Sequence, residues 1–199
     1  EALISQNNLT LEKLKKNSIV GTSSFRREFQ LKRIRPDLKF KLIRGNIDSR
    51  IKKIYKKKYD AIILAKAGLK SLKMSNLITQ EFNCNKIIPS AGQGIVSLQS
   101  RKNDTEINKL LEKVNHKNTR IRAYAERSVL KILKGDCSTA VGIYSVISNK
   151  KLILKAELFS IDGKKRYYYE YFDKINKALN TGKVVGKYLK KISLGKYKN

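Results

Sequence analysis

Apolar and polar positions alternate in two regimes along this chain, and the regime changes near the middle. The first regime pairs short apolar runs with runs of helical spacing. Ser18-Ile19-Val20-Gly21 is an apolar stretch ending in glycine, Thr22-Ser23-Ser24 follows it, and Phe25 to Ile34 is periodic until Pro36 closes the pattern. This predicts strand, turn and helix, with Ser or Thr supplying the N-cap. Lys39 to Ile43 alternates as a strand does. Arg44-Gly45-Asn46 reads as a turn, and Ile47, Ile51, Ile54 and Tyr55 then share one helical face. Tyr59 to Ala65 is a nearly continuous apolar run, the pattern of a strand buried on both faces of a parallel sheet. Ala67-Gly68-Leu69 opens another helix. Three strand–helix units in succession predict a parallel α/β domain over residues 1–92.

The second regime begins after the small-residue junction Pro89 to Gly94, which reads as a hinge. Ile95 to Gln99 is expected to form a strand and Thr105 to Val114 an amphipathic helix, so residues 93–114 form a short unit of their own. Thr119 to Leu133 is a helix expected to stop at Gly135. Strands are expected at Val141–Ser148, Leu152–Ser160 and Arg166–Phe172. Asn149-Lys150 and Asp162-Gly163 sit between them, as hairpin turns require. Asn176 to Ile192 closes the chain as a helix. Residues 115–199 therefore read as a small α+β domain with an antiparallel sheet.

Composition adds one strong fact. The 199 residues hold 45 Lys and Arg against 16 Asp and Glu, a formal charge of +29. Such a field draws polyanions, nucleic acid among them. Lysine dominates the excess, and Asn and Ile are abundant too, a bias that drift toward A/T-rich codons also produces. Lys52, Lys53, Lys56, Lys57 and Lys58 then read as a solvated face, as does the lysine-rich tail. No apolar run is long enough for a bilayer, and no signal-peptide pattern opens the chain. Cys84 and Cys137 have no metal-type spacing, so free thiols in a reducing cytoplasm are expected. Neither a Walker loop nor a dinucleotide fingerprint is present. His116 reads as a helix-entry residue.

Three places carry candidate chemistry. Gly21 to Arg27 lies where a strand hands over to a helix, so Ser24, Arg26 and Arg27 sit at the edge where open α/β sheets bind ligands. Arg44 to Arg50 is the next such turn and opens on the same edge. Together Arg26, Arg27, Arg44 and Arg50 are expected to form a convergent anion cradle for carboxylate or phosphate. Taken singly, each turn also reads as a capped helix with solvated arginines. Gly135-Asp136-Cys137-Ser138-Thr139 places a thiol on a turn between a helix and a strand, where it is fixed by the fold yet reachable. A buried, inert cysteine is the plain alternative.

The order GTSSFRR, LIRGNIDSR, YDAIILAKAGL, SAGQG and AERSVLKILKGDCSTAVG resembles the porphobilinogen deaminase (hydroxymethylbilane synthase) family, from about Ile19 to Gly142 and more loosely through Leu152–Gly163. The resemblance implies a periplasmic-binding-protein-like parallel α/β domain (the family's second), a strand and helix at 93–114 belonging to its first, and an α+β third domain. It implies a transferase of tetrapyrrole and haem biosynthesis that condenses porphobilinogen with loss of ammonia. It implies a dipyrromethane cofactor held by a thioether to Cys137, with Ser24, Arg26, Arg27, Arg44 and Arg50 binding pyrrole carboxylates. Three departures accompany it. Ser71 stands where the family has arginine, and Asp136 where it has glycine, a carboxylate expected to raise the thiol pKa unless paired. The family's catalytic aspartate belongs to an N-terminal stretch not in this sequence, so no catalytic residue is assigned. The chain is thus expected to be a fragment, a split subunit or a remnant, and monomeric once the N-terminal domain is supplied. Two rivals stand beside this reading: a non-catalytic anion-binding module and a basic nucleic-acid-binding protein.

Overall fold

The computed structural model describes residues 1–198. Residues up to Glu81 build a five-stranded sheet from β1 (Ala2–Ser5), β2 (Ile19–Gly21), α1 (Phe25–Ile34), β3 (Lys39–Lys41), α2 (Ile47–Tyr55), β4 (Ala61–Leu64), α3 (Lys66–Ser71) and β5 (Gln80–Glu81). The strand order is β3-β2-β4-β1-β5. β2 pairs in parallel with β3 and β4, as the strand–helix alternation predicts. β1 runs antiparallel to both β4 and β5, so four strands share one direction and β1 opposes them. The parallel α/β expectation holds for β2, β3 and β4, and β1 adds an antiparallel strand between β4 and β5. β1 is not among the expected strands: Ala2 to Ser5 is a short stretch, buried along its whole length like β4 but without a strand–helix unit around it. One apolar cluster (Leu3, Val20, Leu31, Ala61, Ile63) packs on the α1 face and another (Ile4, Ile51, Ile54, Ile62, Leu69) on the α2–α3 face.

The strand expected over Ile95–Gln99 does not form. Residues 95–100 carry no regular structure, and Val96 is 85% exposed. A strand needs a partner, and among the described residues none runs beside it. α4 (Thr105–Val114) forms as predicted, capped by Asp104, yet buries none of its residues.

The second half is α5 (Lys117–Leu133), β6 (Val141–Ser148), β7 (Lys151–Phe159), β8 (Arg166–Lys174) and α6 (Ala178–Ser193). The three strands form an antiparallel meander, with both helices on one face. The β6–β7 turn has φ 48° at Asn149 and 57° at Lys150, the double left-handed geometry that hairpins favour. α5 and α6 cross closely because Gly182 has no side chain: a Cβ there would lie 2.2 Å from the Ala125 carbonyl oxygen.

α2, α3, α5 and α6 end on a left-handed residue that is not glycine: Lys57, Lys73, Lys134 and Leu194, with φ between 49° and 56°. The stop expected at Gly135 is thus made one residue earlier, by Lys134. His116 caps α5 by accepting from the Thr119 amide at 3.3 Å.

The segment Lys86–Gly94 joins the halves. Gln30 of α1 reads both polar atoms of Ile88, accepting from its amide at 2.6 Å and donating to its carbonyl at 2.9 Å. The Ile143 amide of β6 donates to the Pro89 carbonyl at 2.7 Å. Glu126, buried on α5, accepts from the Gly92 amide at 2.8 Å and from the Ser145 amide and hydroxyl at 2.9 and 2.7 Å. Glu126 is thus committed to this junction, and Arg120 of the same helix pairs instead with Glu112 at 2.9 Å.

Candidate functional site

The first turn, Thr22 to Arg27, is shaped by its hydroxyls. Ser24 caps α1, its Oγ accepting from the Arg27 amide at 3.4 Å, and its own amide donates to Thr22 Oγ1 at 3.1 Å. The two arginines behind it part company. Arg26 is 5% exposed and fully engaged: Nη1 donates to the Ile88 carbonyl at 2.8 Å, Nη2 to Glu1 Oε1 at 2.7 Å and Gln93 Oε1 at 3.3 Å. Arg27 pairs with the other Glu1 oxygen at 2.7 Å, but its Nε is buried with no partner. Glu1 is therefore counter-ion to both. Burial alone would push its carboxyl up, and the Arg27 and Arg26 charges outweigh this and hold it below the ordinary glutamate value. Nothing local in the sequence marks Glu1 for this role, because the pair spans 25 residues.

The second turn is held open by Gly45, whose φ of +112° is a conformation that side-chain-bearing residues avoid. Arg50 Nε donates to the Gly45 carbonyl at 2.7 Å, folding the side chain over the turn. Asn46, the N-cap of α2, makes no side-chain bond to the helix amides. A pocket of about 650 Å³ opens here, lined by Arg27, Arg50, Gly45, Asn46 and the end of β4. The structure thus brings Arg27 and Arg50 into one space. It does not bring Arg26 there, because Glu1 and the Ile88 carbonyl hold it inside. Arg44 is exposed and lies outside the pocket lining. The four-arginine convergence expected from sequence is corrected to two.

Cys137 is a free, exposed thiol on the loop between α5 and β6. Asp136 Oδ1 accepts from the Ser138 amide and hydroxyl at 2.8 and 2.6 Å and from the Thr139 amide and hydroxyl at 3.1 and 3.2 Å. The carboxylate beside the thiol is therefore paired, chiefly by Ser138, and its pKa is lowered. The loop ends at Ala140, which clusters with Phe29 of α1 and Phe159 of β7. Phe25, next to Ser24, lines one hollow with Asp136, Ser138 and Thr139. The thiol loop and the first turn of α1 thus share a boundary. Ser71 is exposed at the end of α3. Cys84, the other free thiol, lines a groove of about 920 Å³ between the two halves beside Tyr144 and Lys155. Among the described residues no cluster of three or more His, Cys, Asp or Glu has metal-binding arrangement, and no helix is long and apolar enough to cross a membrane.

The class defined at this level is a mixed α/β protein with cationic strand-to-helix turns, joined to a small antiparallel sheet beside a loop that carries an accessible thiol. Comparison with known proteins gives that class a family. Residues 1–109 match the family model described as "Porphobilinogen deaminase, dipyromethane cofactor binding domain", and residues 120–191 match "Porphobilinogen deaminase, C-terminal domain". A porphobilinogen deaminase of Desulforamulus reducens is 36% identical over 182 residues, covering 92% of this chain and 59% of the relative. Those of an Exiguobacterium species and of Buchnera aphidicola are 41% and 42% identical, each over 82% of this chain and over 54% and 52% of their own lengths. The chain belongs to the porphobilinogen deaminase family. It spans a little over half the length of the curated relatives it matches.

Proposed function

We propose that the chain is the cofactor-anchoring part of a cytoplasmic hydroxymethylbilane synthase (porphobilinogen deaminase), a transferase of tetrapyrrole and haem biosynthesis. The activity is the stepwise condensation of four porphobilinogen molecules into hydroxymethylbilane, each step forming a C–C bond and releasing ammonia. The observation that carries this reading is the exposed Cys137 thiol on a loop packed against α1, the helix that aims Arg27 into the pocket shared with Arg50.

A dipyrromethane group, when bound, supplies the primer to which pyrroles are added. Cys137 Sγ would hold it, since a thiolate is a good nucleophile toward an electrophilic methylene and a thioether survives turnover. The residues suit a group bearing carboxylates. Arg27 has a buried donor without a partner, and a carboxylate is the acceptor it lacks. In this reading Ser24, Arg27 and Arg50 contact the carboxylates, Arg44 stands at the mouth, and Arg26 supports Arg27 from behind through their shared Glu1. No residue is assigned general acid–base work. That role falls to the part of the family outside residues 1–199. The apolar residues Val96, Leu98, Leu110 and Val114 are exposed, and we read residues 93–114 as the piece that completes the family's first domain. The whole protein is then a monomer, and most of its lysines are solvated rather than bound to nucleic acid.

Intact mass of the purified chain, beside Cys137→Ser, tests this. A Cys137-dependent adduct of dipyrromethane mass is expected, either directly or after adding porphobilinogen with a relative's N-terminal domain. No adduct under the second condition overturns the enzyme reading and leaves an anion-binding remnant.

A further inference from the structure

The Cys137 loop is braced from within by Asp136, which fixes its shape but not its position. Position at the trailing end comes from Ala140, clustered with Phe29 and Phe159. The leading end follows the last turn of α5, where carbonyls lack helical partners. One of them, Leu133 O, accepts a hydrogen bond from Tyr197 Oη at 2.9 Å. Tyr197 is 3% exposed and belongs to the same apolar cluster as Leu133. Burial pushes its hydroxyl pKa up, so it remains a donor at neutral pH.

The chain reaches this point by reversing after α6. Leu194 and Gly195 take φ of 49° and 74°, and the Lys196 carbonyl then accepts from the Ile161 amide at 3.0 Å. The tail is thus pinned between the β7–β8 turn and the end of α5. Tail and thiol loop face each other across a hollow of about 420 Å³ lined by Phe25, Phe29, Phe159, Tyr197, Asp136 and Ser138. Both neighbours of the exposed Cys137 line this hollow.

We infer that the C-terminal turn is a latch for the thiol loop, and that Tyr197 is a positioning residue for Cys137. This deepens the reading of Cys137 as the attachment point and rests on it.

Tyr197→Phe keeps the ring and removes the hydroxyl. Two readouts on the full chain test the latch without any cofactor. Loss of one neutral hydrogen bond should speed amide exchange at Gly135–Thr139 about fivefold, with β6–β8 unchanged. A nitroxide on Cys137, in a Cys84→Ser background, should gain a mobile spectral component in the variant. Unchanged exchange and an unchanged spectrum overturn the latch. So does a uniform rise in exchange across β6–β8 and α6, which would mean general destabilisation. Cofactor loading is scored separately by mass, so failure of the attachment reading and failure of the latch give different results.

Discussion

Arg26 and Arg27 are neighbours in sequence with opposite surroundings, and Glu1 sets the difference. Its side chain is fully buried between the two guanidiniums. Removing one member of a buried ion pair leaves uncompensated charge and costs about 3–5 kcal/mol. Glu1→Gln should therefore lower unfolding stability by that order in a urea titration. Because the folded pKa of Glu1 lies below its usual 4.5, its contribution is complete above that pH and is lost as pH falls through the lowered value. Wild type and Glu1→Gln should accordingly converge in stability in acid. The sequence made the arginine turns legible, because small polar residues and paired arginines at a strand end have a local signature. It could not show which arginine was spoken for, since Glu1 reaches them through the fold. Asp136 is the converse case. The carboxylate beside the thiol was expected to matter unless paired, and its partners, Ser138 and Thr139, lie two and three residues on, so the pairing was within reach of the sequence.

Among the elements, close approach sets the tolerances. Gly182→Ala would place a Cβ against the Ala125 carbonyl, and backbone cannot yield as a flexible side chain does. Overpacking of this kind costs about 1–3 kcal/mol, readable as a lowered urea midpoint with an unchanged slope. A second check concerns the segment after β1. The Lys86 ammonium donates to Glu12 at 2.8 Å and, by that bond first, holds its carboxyl at about 2. Both groups are half exposed, so the stabilisation is slight, present above the usual 4.5 and lost as pH falls toward 2. The titration midpoint of Glu12 by NMR should sit near 2 and return toward 4.5 in Lys86→Met. Periodicity found every helix of eight or more residues and all three strands of the second sheet, because each carries its apolar residues along one face, even α4, where nothing covers that face. It missed β1, four residues with no flanking pattern to set them off, and it misread Ile95–Gln99, an apolar stretch expected as a strand that no neighbour pairs with.

In the molecule as a whole, the two halves act through a strut. Ile88, Pro89 and Gly92 each bond to a different element through their main-chain atoms, to Gln30 of α1, Ile143 of β6 and Glu126 of α5. The loose part is 95–114, whose exposed apolar side chains should bind a hydrophobic dye. Leu110→Ser with Val114→Ser should cut that fluorescence to about half without loss of helical signal, since exposed contiguous apolar surface is what such dyes report. Fold class was readable because patterning repeats over many residues, whereas the exposed α4 face could be read only once its surroundings were known. The left-handed helix ends carry a consequence of their own. A lysine or leucine there gives up about 1 kcal/mol against glycine, so four such ends forgo on the order of 4 kcal/mol. For a domain whose whole margin is about 5–15 kcal/mol, that is a large share. Lys57→Gly and Lys73→Gly should each raise the melting temperature by about 2–4 °C. Helix ends of this kind are therefore where this architecture keeps stability in reserve, open to recovery by single changes to glycine.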